Sequence, residues 1–83
     1  MQKNPIEYRV YLYPDYTLKG VQTIPCTTLE QAQELEQIGR EDGYYKYMLV
    51  VYDVINDYPL ETKSIYYDNY DYNKPITRER KGR

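Results

Sequence analysis

Carboxylates are the side chains through which this chain could carry out acid–base chemistry. Its 83 residues contain no histidine, which excludes Ser-His and Cys-His nucleophile pairs and most zinc sites. Two carboxylate pairs remain, Glu41-Asp42 and Asp53 with Asp57. A catalytic carboxylate needs a concave, partly desolvated site, and a domain of this length has little room for one. We therefore predict that the protein is not an enzyme.

Sequence patterns for cofactors and metals are also missing. The four glycines form neither a GxGxxG nor a Walker pattern. Asp68, Asn69 and Asp71 could suggest calcium ligands, but the twelve-residue loop with its central Gly and terminal Glu is absent. Cys26 is the only cysteine and has no basic neighbour to favour its thiolate, so we expect it to pack as a small hydrophobe. No cofactor and no metal are predicted.

Tyrosine supplies all the aromatic residues of the chain. There are 13 tyrosines and no Phe or Trp, and four of them fall within residues 66–72 together with two aspartates. Tyrosine is favoured at interfaces because it combines an apolar ring with a polar tip and has few torsions to fix. This composition indicates binding surfaces, and a protein is the expected partner.

Charge divides the chain into two parts. Residues 1–73 carry six Lys and Arg against twelve Asp and Glu, a net charge of −6, whereas residues 74–83 carry five against one, a net charge of +4. We predict that residues 1–73 form one domain and that residues 74–83 form a flexible basic tail. Such a tail can bind nucleic-acid phosphates, fold back on its own acidic domain or stay solvated.

The stretch from residue 52 to residue 72 is acidic as well as rich in tyrosine. Lys63 is its only cation. Nucleic-acid bases need an electropositive surround to stack on aromatic side chains, so this stretch disfavours them. Its carboxylates could instead occupy a basic groove meant for DNA or RNA, which would make the protein an inhibitor of a nucleic-acid-handling machine. Alternatively, the stretch is the last strand of the sheet, followed by a solvent-exposed loop.

The first half of the chain predicts a strand and then a helix. Residues 6–13 alternate apolar and polar positions, as in a half-buried strand, and residues 16–24 form either a loop or a short second strand. Thr27-Thr28-Leu29-Glu30 has the form of a capping box, and Gly43 is a suitable terminator. The predicted apolar stripe of this helix consists of Leu29, Ala32, Leu35 and Ile38.

The second half predicts a hairpin. Residues 46–55 are apolar on both faces, as in a central strand, and residues 62–67 form a further strand after the turn at residues 56–59. The predicted fold is α+β: a small two-layer β-(β)-α-β-β arrangement, with an antiparallel sheet of three to four strands and one helix packed on one face.

A single helix leaves the other face of the sheet without a covering layer. If Ile6, Tyr8, Val10 and Leu12 face the helix, Tyr11 and Tyr13 lie on the opposite face. They are joined there by one of two sets from the central strand, either Tyr47, Leu49 and Val51 or Met48, Val50 and Tyr52. This face is a candidate surface for a homodimer or a partner, unless residues 14–25 or the C-terminal segment fold over it.

We predict a small non-enzymatic protein-interaction module that acts through a tyrosine-rich sheet face and an acidic edge, as an accessory or inhibitor protein. The candidate partner-binding residues are Tyr11, Tyr13, Tyr47, Leu49, Val51, Tyr66, Tyr67, Asp68, Tyr70, Asp71 and Tyr72. The alternative is a nucleic-acid-binding protein that uses Arg9, Lys19 and Lys46 with the tail residues Lys74, Arg78, Arg80, Lys81 and Arg83. The sequence has no long apolar run and no signal-peptide pattern, so no membrane association and a cytoplasmic location are expected.

Overall fold

The computed structural model describes residues 5–73, which form a four-strand antiparallel sheet with one helix packed against it. The elements in chain order are β1 (Ile6–Tyr13), β2 (Gln22–Cys26), α1 (Leu29–Glu41), β3 (Lys46–Asp53) and β4 (Tyr58–Tyr66). The strand order is β2-β1-β3-β4, and every pair of neighbours is antiparallel. The predicted α+β fold is confirmed, with the uncertain second strand present. The predicted basic tail, residues 74–83, lies outside the described residues.

Strand β2 is at one edge of the sheet, and its sequence suits that place. Pro25 lies opposite Arg9 of β1. Proline has no N–H to give to a ladder, so it is tolerated in an edge strand and not in a central one. Cys26, the last residue of β2, is buried, and burial raises the pKa of its thiol. The expected packing role of this cysteine agrees with its position.

The helix begins with a capping arrangement that differs from the predicted one. The hydroxyl of Thr28 accepts a hydrogen bond from the N–H of Gln31 at 3.2 Å, and the side-chain oxygen of Gln31 accepts one from the N–H of Thr27 at 2.9 Å. Gln31 therefore takes the part that the sequence assigned to Glu30. At the other end, Gly43 adopts φ 77°, which closes the helix as predicted.

The buried face of α1 is narrower than the predicted stripe. Ala32 and Gly39 are buried, whereas Leu29 and Ile38 are each 43% exposed. A strict three-residue spacing falls short of one helical turn, so the stripe rotates around the helix and its two ends cannot both face the sheet. The predicted inward position of Ile38 was wrong for this reason, whereas Leu29 is at the edge of the buried face and lines a cleft beside β3.

Strands β3 and β4 form a long hairpin with an irregular register. The register shifts between Val51 and Tyr52 of β3, and β4 begins at Tyr58, four residues earlier than predicted. The turn is short because the carboxylate of Asp53 accepts hydrogen bonds from the backbone N–H and the side-chain amide of Asn56, at 3.0 and 2.9 Å. The backbone hydrogen bond from Asn56 is the main cause of a lowered pKa at Asp53.

The core lies between the helix and the central strands. It is built from the buried residues Val10, Leu12, Cys26, Ala32, Tyr47, Leu49 and Tyr67. The helix packs against β1, β2 and β3, and it reaches β4 through the ion pair between Glu36 and Lys63. One side of the sheet is thus covered over three strands, and the opposite side carries no other element of the described chain.

Candidate functional site

The candidate site is the sheet face opposite the helix, which we call the open face. Its central strip consists of side chains from β1 and β3 that lie across from each other in the register: Tyr11 opposite Met48, Arg9 opposite Val50, Tyr13 opposite Lys46 and Glu7 opposite Tyr52. All eight side chains are half-buried. Because successive side chains of a strand point to opposite faces, burial of Val10 and Leu12 under the helix places Tyr11 and Tyr13 on the open face, as predicted.

One end of the strip is organised around Arg9. Its guanidinium lies 3.8 Å from the centre of the Tyr52 ring, and its Nε donates to Oε1 of Glu7 at 2.8 Å. The hydrogen bond to Glu7 is the main cause of a raised pKa at Arg9. The hydroxyl of Tyr52 donates to Oδ1 of Asp57, and this bond is the main cause of a raised pKa at Tyr52. The arginine is therefore held flat on a ring whose own orientation is fixed.

The other end of the strip is organised around Lys46. Its Nζ lies 5.2 Å from the centre of the Tyr13 ring and 4.8 Å from the centre of the Tyr66 ring. No carboxylate of residues 5–73 is within ion-pair distance of this ammonium group. The lysine is thus stabilised by two ring faces and keeps its charge available to a partner.

Three of the predicted partner-binding residues are on the wrong side of the sheet for that role. Tyr47 is 1% exposed and Leu49 is also buried, and Val51 is half-buried on the same helix-facing side. The hydroxyl of Tyr47 donates to the carbonyl oxygen of Ala32 in the helix at 3.0 Å. The strand is apolar on both faces, so its sequence allowed either orientation. The structure selects Met48, Val50 and Tyr52 for the open face.

Two further predictions fail because of burial at the end of β4. Tyr67 is 3% exposed, and its hydroxyl donates to the carbonyl oxygen of Glu36 at 2.7 Å. Tyr70, which was expected to be exposed to solvent, is only 6% exposed. A tyrosine whose ring lies under a helix presents nothing to a partner, so Tyr67 belongs to the core. Tyr66 and Tyr72 remain largely exposed, as do Asp68 and Asp71.

Five tyrosine rings meet at the Lys46 end of the sheet, in a group that we call the tyrosine cluster: Tyr16, Tyr45, Tyr66, Tyr70 and Tyr72. Tyr45 is its centre, with edge-to-face contacts to three rings at centroid distances of 5.2 to 6.2 Å. Tyr72 also contacts Tyr70 at 4.9 Å and stacks on Tyr16 at 6.2 Å. Edge-to-face contacts of this kind add to the stability of aromatic pairs beyond their burial.

Sequence analysis missed Tyr16 and Tyr45 as members of this cluster. Both stand outside the periodic segments, in the loop after β1 and immediately before β3. Only their positions in the sequence could have predicted this cluster. The ends of paired strands are adjacent in space, so aromatic residues that flank those ends come together.

The predicted acidic edge is divided. Asp53 and Asp57 lie at the turn before β4, whereas Asp68 and Asp71 follow its far end, so β4 with a length of about 30 Å separates them. Glu61 stands between them but points to the helix side, where it lines a cleft. Asp68 pairs with Arg40 of the helix at 3.4 Å in an exposed ion pair. The carboxylates therefore form no continuous row beside the open face.

A buried carboxylate, that of Asp15, lies near the tyrosine cluster. Asp15 is 1% exposed, and its Oδ1 accepts hydrogen bonds from the backbone N–H of Thr17 at 3.0 Å and from the Thr17 hydroxyl. Its Oδ2 has no hydrogen-bond partner among residues 5–73. Burial raises the pKa of the neighbouring Tyr70, and the charge of Asp15 adds to that shift. The hydrogen bonds that Asp15 accepts from Thr17 stabilise the loop after β1.

A cleft of about 330 Å³ lies on the helix side of the sheet, between the start of α1 and the outer half of β3 and β4. Its lining residues are Tyr8, Leu29, Gln33, Leu49, Val51, Glu61 and Lys63. Lys63 at its rim is 3.7 Å from Oε1 of Glu36. The cleft combines apolar side chains of β3 with polar side chains of α1 and β4.

Metal-ligating groups do not gather elsewhere in the described chain. Across residues 5–73, no three Asp, Glu or Cys side chains are arranged to hold a metal ion. The three residues considered for calcium have separate partners: Asp68 pairs with the side chain of Arg40, Asn69 donates to the carbonyl oxygen of Arg40 at 2.8 Å, and Asp71 accepts from the N–H of Asn73 at 2.9 Å.

The described chain contains no helix with the length and apolarity needed to cross a membrane. Comparisons of the chain with protein-family models, with curated proteins and with solved structures gave no match. A function for the protein must therefore be inferred from the chemistry of the open face.

Proposed function

We propose that the protein is a non-enzymatic interaction module that binds another protein through the open face. The observation that carries this proposal is the strip of half-buried tyrosine and apolar side chains, centred on Tyr11 and Met48, over which no other described element lies. Small proteins seldom leave such a sheet face uncovered in their working state. The role we assign is that of an accessory or inhibitor subunit.

The acidic edge contributes less to this proposal than the sequence suggested. Mimicry of nucleic acid needs a row of carboxylates at regular spacing, and the carboxylates here are split between the two ends of β4. The central strip of the open face also carries two cations against one carboxylate, Glu7, which is already paired. Contact area from tyrosine and methionine is therefore the main source of affinity in the proposed complex.

The proposal is tested by capturing partner proteins with the wild-type protein and with two variants, one altered on the open face and one altered elsewhere. The full-length protein is immobilised and exposed to a lysate of its own cells, and each captured protein is then purified and its binding measured directly. The test variant is Tyr11→Ala with Met48→Ala, and the control is Ile55→Ala with Leu60→Ala, which removes exposed apolar side chains outside the strip. A partner of the open face is lost with the test variant and kept with the control.

Two further comparisons complete the test. Deletion of residues 74–83 leaves binding at the open face intact, and light scattering at several concentrations shows whether the partner is a second copy of this chain. A complex that survives Tyr11→Ala with Met48→Ala and disappears on deletion of residues 74–83 would contradict the proposal.

That last outcome would favour the second candidate function, nucleic-acid binding. The observation in its favour is that Arg9 and Lys46 share one face with exposed tyrosine rings. Its measurement is the anisotropy of a labelled single-stranded oligonucleotide at two salt concentrations. A complex that depends on phosphates weakens steeply as salt rises. The tail cations named above would add to that dependence.

A further inference from the structure

Two cations flank the middle of the central strip of the open face. Arg9 lies opposite Val50, and Lys46 precedes Val50 by four positions on β3. At a rise of about 3.3 Å per residue, the two positions are about 13 Å apart. Tyr11 and Met48 face each other between them. The apolar middle of the strip is therefore flanked by two cations, Arg9, which is paired with Glu7, and Lys46.

Both cations keep binding capacity that the described chain does not use. Within residues 5–73, Glu7 is the one carboxylate that pairs with Arg9, through the Nε of the arginine. Lys46 forms no ion pair with a described residue and faces the rings of Tyr13 and Tyr66. Because the rings already restrict both side chains, an anion that binds here causes little further loss of side-chain entropy.

We propose that the open face binds an acidic amphipathic helix of a partner protein, with one carboxylate at Arg9, a second at Lys46 and an apolar stripe on Tyr11 and Met48. This inference rests on the protein-binding function proposed above and specifies the chemistry of the partner. It also reverses the sequence-based expectation, in which this protein supplied the acidic surface and its partner the basic groove.

A helix is the occupant that fits the dimensions of the strip. A sheet with one bare face is completed by another layer, and a helix about 10 Å wide covers roughly two strands that are about 4.8 Å apart. Two carboxylates about seven residues apart lie on one side of such a helix, about 10 Å from each other. The long side chains of Arg9 and Lys46 span the remaining difference.

A nucleic acid fits the same strip less well. The cations already cover ring faces of Tyr52, Tyr13 and Tyr66, on which bases would stack. A nucleic-acid strand also carries a phosphate at every nucleotide and extends beyond the strip, where residues 1–73 have a net charge of −6. A helix with two carboxylates places negative charge only where the cations are.

A peptide titration followed by backbone amide chemical shifts tests the inference on the full-length protein. The probe is a synthetic amphipathic helical peptide with a leucine stripe and two glutamates about seven residues apart beside that stripe. Matched peptides carry glutamine or lysine in place of both glutamates, and a single-stranded oligonucleotide is titrated separately. We expect the glutamate peptide to shift the amides of Tyr11, Met48 and Val50 and to bind about three- to tenfold more tightly than the glutamine peptide.

Variants of the protein assign that difference to the two cations. Arg9→Gln and Lys46→Gln each weaken the glutamate peptide by about two- to fivefold and leave the glutamine peptide unchanged, because the pair they remove exists only with glutamate. Lys63→Gln, on the helix side of the sheet, is the control and leaves both peptides unchanged. The effect of each variant fades as salt is raised, since exposed pairs are screened.

Each of the other possible results of the titration would contradict the inference, and each would point to a different explanation. Equal affinity for the glutamate and glutamine peptides would mean that the face accepts apolar helices regardless of charge, which contradicts the inference and leaves the proposed function intact. Equal or tighter binding of the lysine peptide would contradict it as well. A glutamate peptide that causes no shifts on the open face overturns it, and oligonucleotide binding there would replace it with the nucleic-acid function.

Discussion

The two faces of the sheet use the same residue type in opposite ways. On the helix side, Tyr47 and Tyr67 are buried, and each hydroxyl donates to a helix carbonyl, those of Ala32 and Glu36. These two carbonyls are one helical turn apart, so the hydroxyls fix the helix at two successive turns. On the open face, the ring of Tyr52 lies against a cation and its hydroxyl points to a loop carboxylate.

The difference shows how a chain without Phe or Trp builds both a core and a binding surface. A buried tyrosine is tolerated only where its hydroxyl finds a partner, which makes such a site specific about the geometry of its neighbours. A half-buried tyrosine with a cation on its face needs no such match. The helix side should therefore be sensitive to small changes, and the open face should tolerate them.

Truncation of one tyrosine on each face should show the largest contrast. Tyr47→Ala removes a ring from the core, and we expect it to lower the free energy of unfolding by about 3–5 kcal/mol, whereas Tyr11→Ala on the half-buried open face should lower it by about 1–2 kcal/mol. Urea denaturation followed by circular dichroism measures both.

A domain of this size has modest stability, so a gentler variant accompanies that comparison. Tyr47→Phe keeps the ring and deletes only the hydrogen bond to Ala32, for an expected loss of about 1 kcal/mol. Similar losses from Tyr47→Ala and Tyr11→Ala would show that the two faces do not differ as described.

Alkaline pH should weaken the helix side of the sheet. Burial raises the pKa of Tyr47 to about 12, and it also raises the pKa of Tyr67. An unfolded tyrosine titrates near pH 10, so the folded state binds these protons more tightly. Their contribution to stability is complete below about pH 10 and is lost as the pH rises toward 12.

Urea denaturation at several pH values, with phenolate absorbance as a second readout, measures that loss. Tyr47→Phe should flatten the decline of stability above about pH 10, because the variant no longer has this proton to lose. Leu60→Ala, which removes an exposed side chain that cannot titrate, is the control and should leave the decline unchanged. A wild-type protein whose stability stays constant up to pH 12 would contradict the described burial of Tyr47.

The next largest effect on stability is expected from a substitution that crowds the contact between the helix and Tyr67. A Cβ added at Gly39 would lie 2.6 Å from the Tyr67 hydroxyl oxygen and 3.0 Å from Cδ2 of Leu12. Overpacking of this kind costs about 1–3 kcal/mol, partly offset by roughly 1 kcal/mol because alanine favours a helix. We expect Gly39→Ala to destabilise the protein by about 1 kcal/mol.

A double variant identifies the cause of that loss. Tyr67→Phe removes the oxygen that the new methyl group would meet, so Gly39→Ala should cost less in the Tyr67→Phe background than in the wild type. Chemical denaturation of the four proteins gives this coupling. Additive effects would mean that the helix does not approach Tyr67 as closely as described.

The sequence predicted the elements of the fold better than their orientation. Alternation in residues 6–13 placed Tyr11 and Tyr13 correctly, because only one face of that strand is apolar enough to be buried. Residues 46–55 are apolar on both faces, and this left two sets of site residues open. The choice was made by tertiary packing, in which Tyr47 fits beneath the helix.

The features of the candidate site that could not be predicted from the sequence depend on contacts between distant parts of the chain. The pairing of Arg9 with Tyr52 and the position of Lys46 between Tyr13 and Tyr66 join residues from different strands. Composition indicated a tyrosine-rich surface, but only the strand register shows which tyrosines hold a cation. The burial of Tyr67 was likewise hidden, because it depends on the space left at a helix glycine.

The smallest expected effect on stability is that of the Arg9 and Tyr52 contact. Arg9→Gln and Tyr52→Leu each remove one partner, and Tyr52→Phe keeps the ring as a control for the hydroxyl. Cation–π contacts at exposed sites are weak, since water solvates the charge almost as well. We expect the thermal midpoints of these variants to change less than that of Gly39→Ala, with a small favourable coupling that Tyr52→Phe preserves. A coupling as large as the loss from Tyr47→Phe would mean that the open face is also part of the structural core, because its cations would then stabilise the fold as strongly as the buried hydroxyls do.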